Sequence, residues 1–248
     1  KSFIPFVNDI IDFNKYNLPK IESICDGNCK YKHETNKGYE LFAIPNVYSN
    51  ETDLTKVHKV IDKIIDYMDI EIEKYNYLPK NFMFIFDHIK KNFLAKMLQE
   101  RLQDYWIQKF TDEEYIKNID DITDNNYNEF VFLHKSEANK PINLKESENA
   151  TRMLSIHASK GNGCEVVFVL GITETVLNMY SKQTDNLLYN SLLHVALTRQ
   201  KKSLYVGIVN NGDDIYHKFN KYNIKIDIEP NLKLIKTKHD FDRIIPKL

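Results

Sequence analysis

Two spacings of apolar side chains alternate along the chain. Phe6, Val7, Ile10, Ile11 and Phe13 recur at intervals that predict a helix over 2–13, with Ser2 able to cap it and Pro5 in its first turns. Leu54, Val57, Ile61, Ile64, Ile65, Met68 and Ile72 predict a long helix over 52–75, ended by Pro79. A third is expected over 89–110, with Phe93, Met97, Leu98, Leu102, Tyr105 and Trp106 turned inward. Shorter helices are expected within 111–128, over 186–201 and near 214–222. Between them lie runs of strand length at 40–44, 81–86, 129–133, 151–156, 165–170 and 204–209. Near-continuous runs such as Phe82-Met83-Phe84-Ile85-Phe86 are what a strand covered on both faces requires.

Strands alternating with helices at these lengths predict βαβ units, and so an α/β fold with a mostly parallel sheet. In such sheets working groups gather beyond the carboxyl ends of the strands. That rule directs attention to the loops after Ile156 and Leu170 and to the helix before Leu204. The expected division is one domain over 1–222, with 223–248 as a tail or edge element.

Composition narrows the class. Hydrophobic residues at 42% and charged residues at 28% describe an ordinary globular chain. No apolar stretch approaches the ~20 residues that a membrane helix needs. The chain opens without a signal pattern or an initiating Met, inside a helical pattern, which reads as a piece excised from a longer protein. A net charge of −1 lends no support to a dedicated nucleic-acid module, but is compatible with a motor that touches few phosphates per step. The cysteines Cys25, Cys29 and Cys164 are few and odd in number, which points to a reducing, intracellular setting. Cys25, Cys29 and His33, with His58 nearest as a fourth group, depart from structural zinc spacing. Two free thiols around an Asp26-Gly27-Asn28 turn are favoured, and no metal site is expected. The wealth of Lys, Asn, Ile and Tyr is a usage that AT-rich genomes favour, in viruses or low-GC microbes.

Two segments carry chemistry. Ser155-Ile156-His157-Ala158-Ser159-Lys160-Gly161-Asn162-Gly163 leaves one strand and precedes another. Its hydroxyls, imidazole, ammonium and two glycines suit an anion-binding loop, and equally an ordinary polar connection. Val195-Ala196-Leu197-Thr198-Arg199 ends a helix. There an arginine serves as a ligand group or simply complements the helix dipole.

Taken together and in order, the segments resemble motifs V and VI of the superfamily 1, UvrD/Rep-like DNA helicases. The first matches a (T/S)-x-H-x-(A/S)-K-G pattern followed by the strand Val167-Phe168-Val169-Leu170-Gly171. The second, Leu192-Leu193-His194-Val195-Ala196-Leu197-Thr198-Arg199-Gln200, matches motif VI. Fainter similarity covers 82–110, which looks like motif IVa, and 2–13, which looks like the helix after the family's N-Y-R-S motif. The resemblance implies the second RecA-like motor domain, a three-layer fold of the P-loop NTPase type. Arg199 would be the catalytic arginine finger, and Lys160, Gly161, Thr198 and Arg199 would bind nucleotide. Ser155 and His157 would contact single-stranded DNA. The implied cofactors are ATP and Mg2+, held mainly by an N-terminal RecA-like domain of the same protein.

The chain departs from the family at three places. Gly163 stands where a ribose-contacting Glu is usual, with Glu165 the nearest acidic residue. His194 replaces an aromatic. The short spacing before motif V leaves no room for a large inserted subdomain. No G-x4-G-K-(S/T) sequence is present, so the chain lacks its own Walker A and is expected to be inactive alone. A catalytically silent scaffold that binds DNA or protein is the alternative.

Overall fold

The computed structural model describes residues 3–11, 13, 19–21, 38–46, 54–90, 92–111, 130–134, 144–182, 186–222 and 224–225. The Cys25–Cys29–His33 grouping, the short helix expected within 111–128, and 226–248 lie outside them. Six strands form one sheet: β1 (Tyr39–Ile44), β2 (Phe82–Phe86), β3 (Val131–Leu133), β4 (Thr151–Ser155), β5 (Cys164–Ile172) and β6 (Gln200–Val209). Their order is β1-β6-β5-β2-β4-β3, and every neighbouring pair is parallel.

Alternation of side chains along each strand feeds two cores. Phe82, Phe84 and Phe86 face α2 (Leu54–Tyr75) and α3 (Phe93–Thr111), together with Phe42, Phe168 and Leu170. Met83 and Ile85 face the opposite layer with Leu41, Val167, Val169 and Ile208. That layer contains α1 (Phe3–Ile10), α4 (Glu174–Tyr180), α5 (Asn186–Leu197) and α6 (Asp214–Asn220). All five residues of β2 are buried, as an apolar run at every position requires. On the α2/α3 side, Phe84 stacks on Phe168 at 4.8 Å and Phe168 on Tyr205 at 4.7 Å. The indole N–H of Trp106 donates to Thr151 Oγ1 at 3.0 Å, and that hydroxyl donates to the Pro79 carbonyl at 2.9 Å. These bonds tie α3 to β4 and to the turn before β2.

Several boundaries differ from the sequence expectation. The helix expected from 89 begins at Phe93 because the Asn92 side chain caps it, accepting from the Ala95 amide at 3.0 Å. Phe93 therefore sits on the first turn and faces solvent at 55% exposure, not inward. Leu54, the first residue of α2, is likewise exposed. The helix expected to reach 201 stops at Leu197, and β6 begins at Gln200, four residues before the expected 204. Helix α4 was not anticipated; it is only seven residues long and too short to show a periodicity.

Candidate functional site

Strand register fixes where the two chemical segments lie. Ser155 pairs with Phe86 at the carboxyl end of β2, while Val166 pairs with Phe82 at its amino end. Residues 156–163 must therefore cross the sheet from one edge to the other. The crossing is wound into turns. The Ser159 amide donates to the Ser155 carbonyl at 3.0 Å, the buried Ser159 hydroxyl donates to the Ile156 carbonyl at 2.8 Å, and the Asn162 amide donates to the Ser159 carbonyl at 3.0 Å. Gly161 closes this path at φ +81°, a conformation that side chains rarely adopt.

At the carboxyl edge stand Ser155 and His157. Ser155 Oγ accepts from the Ala158 amide at 3.4 Å, so its own hydroxyl proton remains available to a ligand. His157 is exposed, with its ring packed edge-on to Tyr180 at 4.5 Å. Partial burial holds its pKa below the usual 6.5, which favours the neutral imidazole. The Tyr180 hydroxyl donates to the Asp87 carbonyl at 3.4 Å, linking α4, which follows β5, to the exit of β2.

At the amino edge the descending loop meets the end of α5. The Cys164 amide donates to the Arg199 carbonyl at 3.0 Å, and Cys164 is opposite Gln200 in the β5–β6 ladder. Arg199 is half-buried and folds back on its own helix. Its Nε donates to the Val195 carbonyl at 3.0 Å and its Nη2 to Thr198 Oγ1 at 3.0 Å. Thr198 Oγ1 in turn donates to the His194 carbonyl at 2.6 Å. Burial and then the nearby Arg199 cation lower the pKa of His194. Lys160 and Gly161 are exposed on the loop. Gly163 lies so close that a Cβ there would stand 3.4 Å from the Arg199 carbonyl oxygen.

Between Cys164 and Val166 the ladder slips, with β6 advancing from Gln200 to Ser203 while β5 advances two residues. Such irregularities re-aim side chains. Here Lys201 Nζ comes within 3.5 Å of Glu165 Oε1, at the wall of a polar cavity of about 300 Å³ that Lys80, Arg152 and Gly163 also line.

The sequence residues thus separate into two groups: Ser155 and His157 at one edge, and Gly161, Gly163, Thr198 and Arg199 toward the other. The β4–β5 connection carries the glycines from the carboxyl ends of the strands to their amino ends, where the end of α5 delivers Thr198 and Arg199 just ahead of β6. Tyr180 was missed as a site neighbour because it lies on the unanticipated helix, whereas Glu165, the acidic residue nearest Gly163, stands at the ladder slip beside Lys201. Among the described residues no grouping of three His, Cys, Asp or Glu could hold a metal ion. Also among them, no helix is long and apolar enough to cross a membrane.

The fold is a three-layer α/β arrangement built around one six-stranded parallel sheet. A family model described as the UvrD-like helicase C-terminal domain matches residues 5–211, and the chain belongs to that family. Among solved structures it is similar to the C-terminal domain of a possible DNA helicase from Lactobacillus plantarum WCFS1. The identity is 10%, covering 91% of this chain and 95% of that one, with a TM-score of 0.46. No curated protein matches the sequence.

Proposed function

We propose that this chain is the second motor domain of an ATP-dependent DNA helicase, supplying an arginine finger and part of the single-stranded DNA track. The observation that carries the reading is the bond between the Cys164 amide and the Arg199 carbonyl, which brings the end of the loop and the helix-end arginine to one sheet edge. Arg199 is cationic and suits phosphate oxygens, and Lys160 is exposed on the loop that leads to that edge. ATP and Mg2+ would be held mainly by an N-terminal RecA-like domain of the same protein. Arg199 would stabilise the charge that develops as the terminal phosphoryl group transfers. Lys160 and Gly161 would face the nucleotide with it.

Ser155 and His157 would meet the DNA backbone at the opposite edge, each through a donor suited to a phosphate oxygen. One connection, residues 156–163, would then join strand contact to nucleotide contact. The division of residues 1–222 as the motor domain and 223–248 as a tail belongs to the same proposal. So does the expectation that the chain is inactive without its nucleotide-binding partner domain.

The test is DNA-stimulated ATP hydrolysis by the natural protein that carries this chain, wild type beside Arg199→Ala. Turnover that the substitution abolishes supports the motor. Wild-type protein without turnover on any nucleic acid would favour a binding scaffold.

A further inference from the structure

We infer that Thr198 is a positioning residue for Arg199 and not a nucleotide ligand, an inference that rests on the finger reading above. A hydroxyl has one proton to give, and Thr198 gives it to the His194 carbonyl at 2.6 Å. Outward it presents only lone pairs, which accept Nη2 of Arg199 at 3.0 Å. In this arrangement Thr198 has no donor left for a phosphate oxygen.

The guanidinium has five N–H groups in a rigid fork. Its Nε is committed to the Val195 carbonyl at 3.0 Å and one Nη2 hydrogen to Thr198, so the side-on edge of the fork lies on the helix end. Nη1 makes no hydrogen bond to a described residue. The end-on edge, Nη1 with the second Nη2 hydrogen, is what remains for a two-oxygen contact with an anion. The backbone of Arg199 is held separately, through its carbonyl, by the Cys164 amide. With the main chain pinned and one edge of the fork seated, the side chain has little rotamer freedom left to lose when an anion arrives. A valine at 198 would fill the same space and leave Nη2 without its partner.

The experiment compares wild type, Thr198→Val and Thr198→Ser. In the isotopically labelled chain, the Arg199 Nη2–H signal should exchange with water faster in Thr198→Val and at the wild-type rate in Thr198→Ser. In the natural protein, Thr198→Val should lower kcat for DNA-stimulated ATP hydrolysis on the order of ten- to a hundred-fold with KM unchanged, and Thr198→Ser should restore it. Unchanged exchange with unchanged kcat overturns the inference. A raised KM at unchanged kcat also overturns it, because it marks Thr198 as a nucleotide contact. Thr198→Ala serves where the valine variant does not fold. If Arg199→Ala retains full turnover, the finger reading falls, while the exchange rates still decide whether Thr198 seats the guanidinium.

Discussion

The amide of Cys164 donates to the carbonyl of Arg199 at 3.0 Å. This single contact starts the β5–β6 ladder and sets the backbone position of Arg199 from the sheet as well as from its own helix. A residue placed in this way can lose its side chain without losing its backbone geometry.

Arg199→Ala should therefore cost the fold only about 1–2 kcal/mol, the worth of two partly exposed hydrogen bonds, while turnover in the natural protein falls roughly 10³–10⁵-fold. Thermal unfolding beside ATPase assays would check both. A much larger stability loss would show that the arginine serves the helix end first.

The same substitution should raise the pKa of His194. Burial is the larger cause of its lowered value and the Arg199 cation the second, so removing the cation returns part of the shift and leaves the value below 6.5. An NMR titration of His194 in both proteins reads this without any assay of activity.

His134, His157 and His194 all have pKa values lowered chiefly by burial. Their folded values lie below the unfolded 6.5, so the unfolded chain binds protons first as pH falls. Stability from these groups is complete above about pH 6.5 and is lost as pH drops from there through the folded values. Urea unfolding at a series of pH values should show this loss, and substituting all three by Gln should flatten it.

Two glycine substitutions should fail for different reasons. A Cβ at Gly207 would come within 2.9 Å of both Ile44 and Leu170 side chains, so Gly207→Ala should overpack the sheet face at a cost of about 1–3 kcal/mol. Gly161→Ala meets nothing within 4 Å, yet its φ of +81° should cost about 1–2 kcal/mol. Denaturant midpoints measure both, and Gly161→Asn should recover part of the second loss, since Asn tolerates positive φ.

Phe84→Ala removes a fully buried ring stacked on Phe168, and should destabilise by about 3–5 kcal/mol. Urea unfolding checks it; a loss below 1 kcal/mol would mean that the stacked layer collapses into the space.

Much of the fold was legible because buried parallel strands write themselves as apolar runs. Phe82–Phe86 is such a run, and its five residues are all buried. Boundaries were less so, for reasons local to each. Asn92 caps α3 late and leaves Phe93 outside, although its apolar character suggested the core. Polar Gln200, Lys201 and Lys202 read as helix end but pair in β6, where ladder hydrogen bonds outweigh propensity. At the site, the residue types and their order were readable. Their division between two edges was not, because it depends on the register, in which β4 and β5 both run parallel to β2 and the loop between them must return from carboxyl to amino ends. The inward hydrogen bond of Thr198 was equally hidden, since a helix-end threonine has the same letters whether its hydroxyl faces a carbonyl or a ligand.

Trp106, the only tryptophan in the chain, has an optical consequence. It is fully buried between Phe82 and Phe110 on the α2/α3 side, with its N–H bound to Thr151. Helix α5, which carries Thr198 and Arg199 at its end, packs on the other face of the sheet. Its fluorescence should therefore be blue-shifted, red-shift sharply when the domain melts, and stay constant when Arg199 is replaced. The protein thus carries a built-in optical control that separates loss of fold from loss of chemistry.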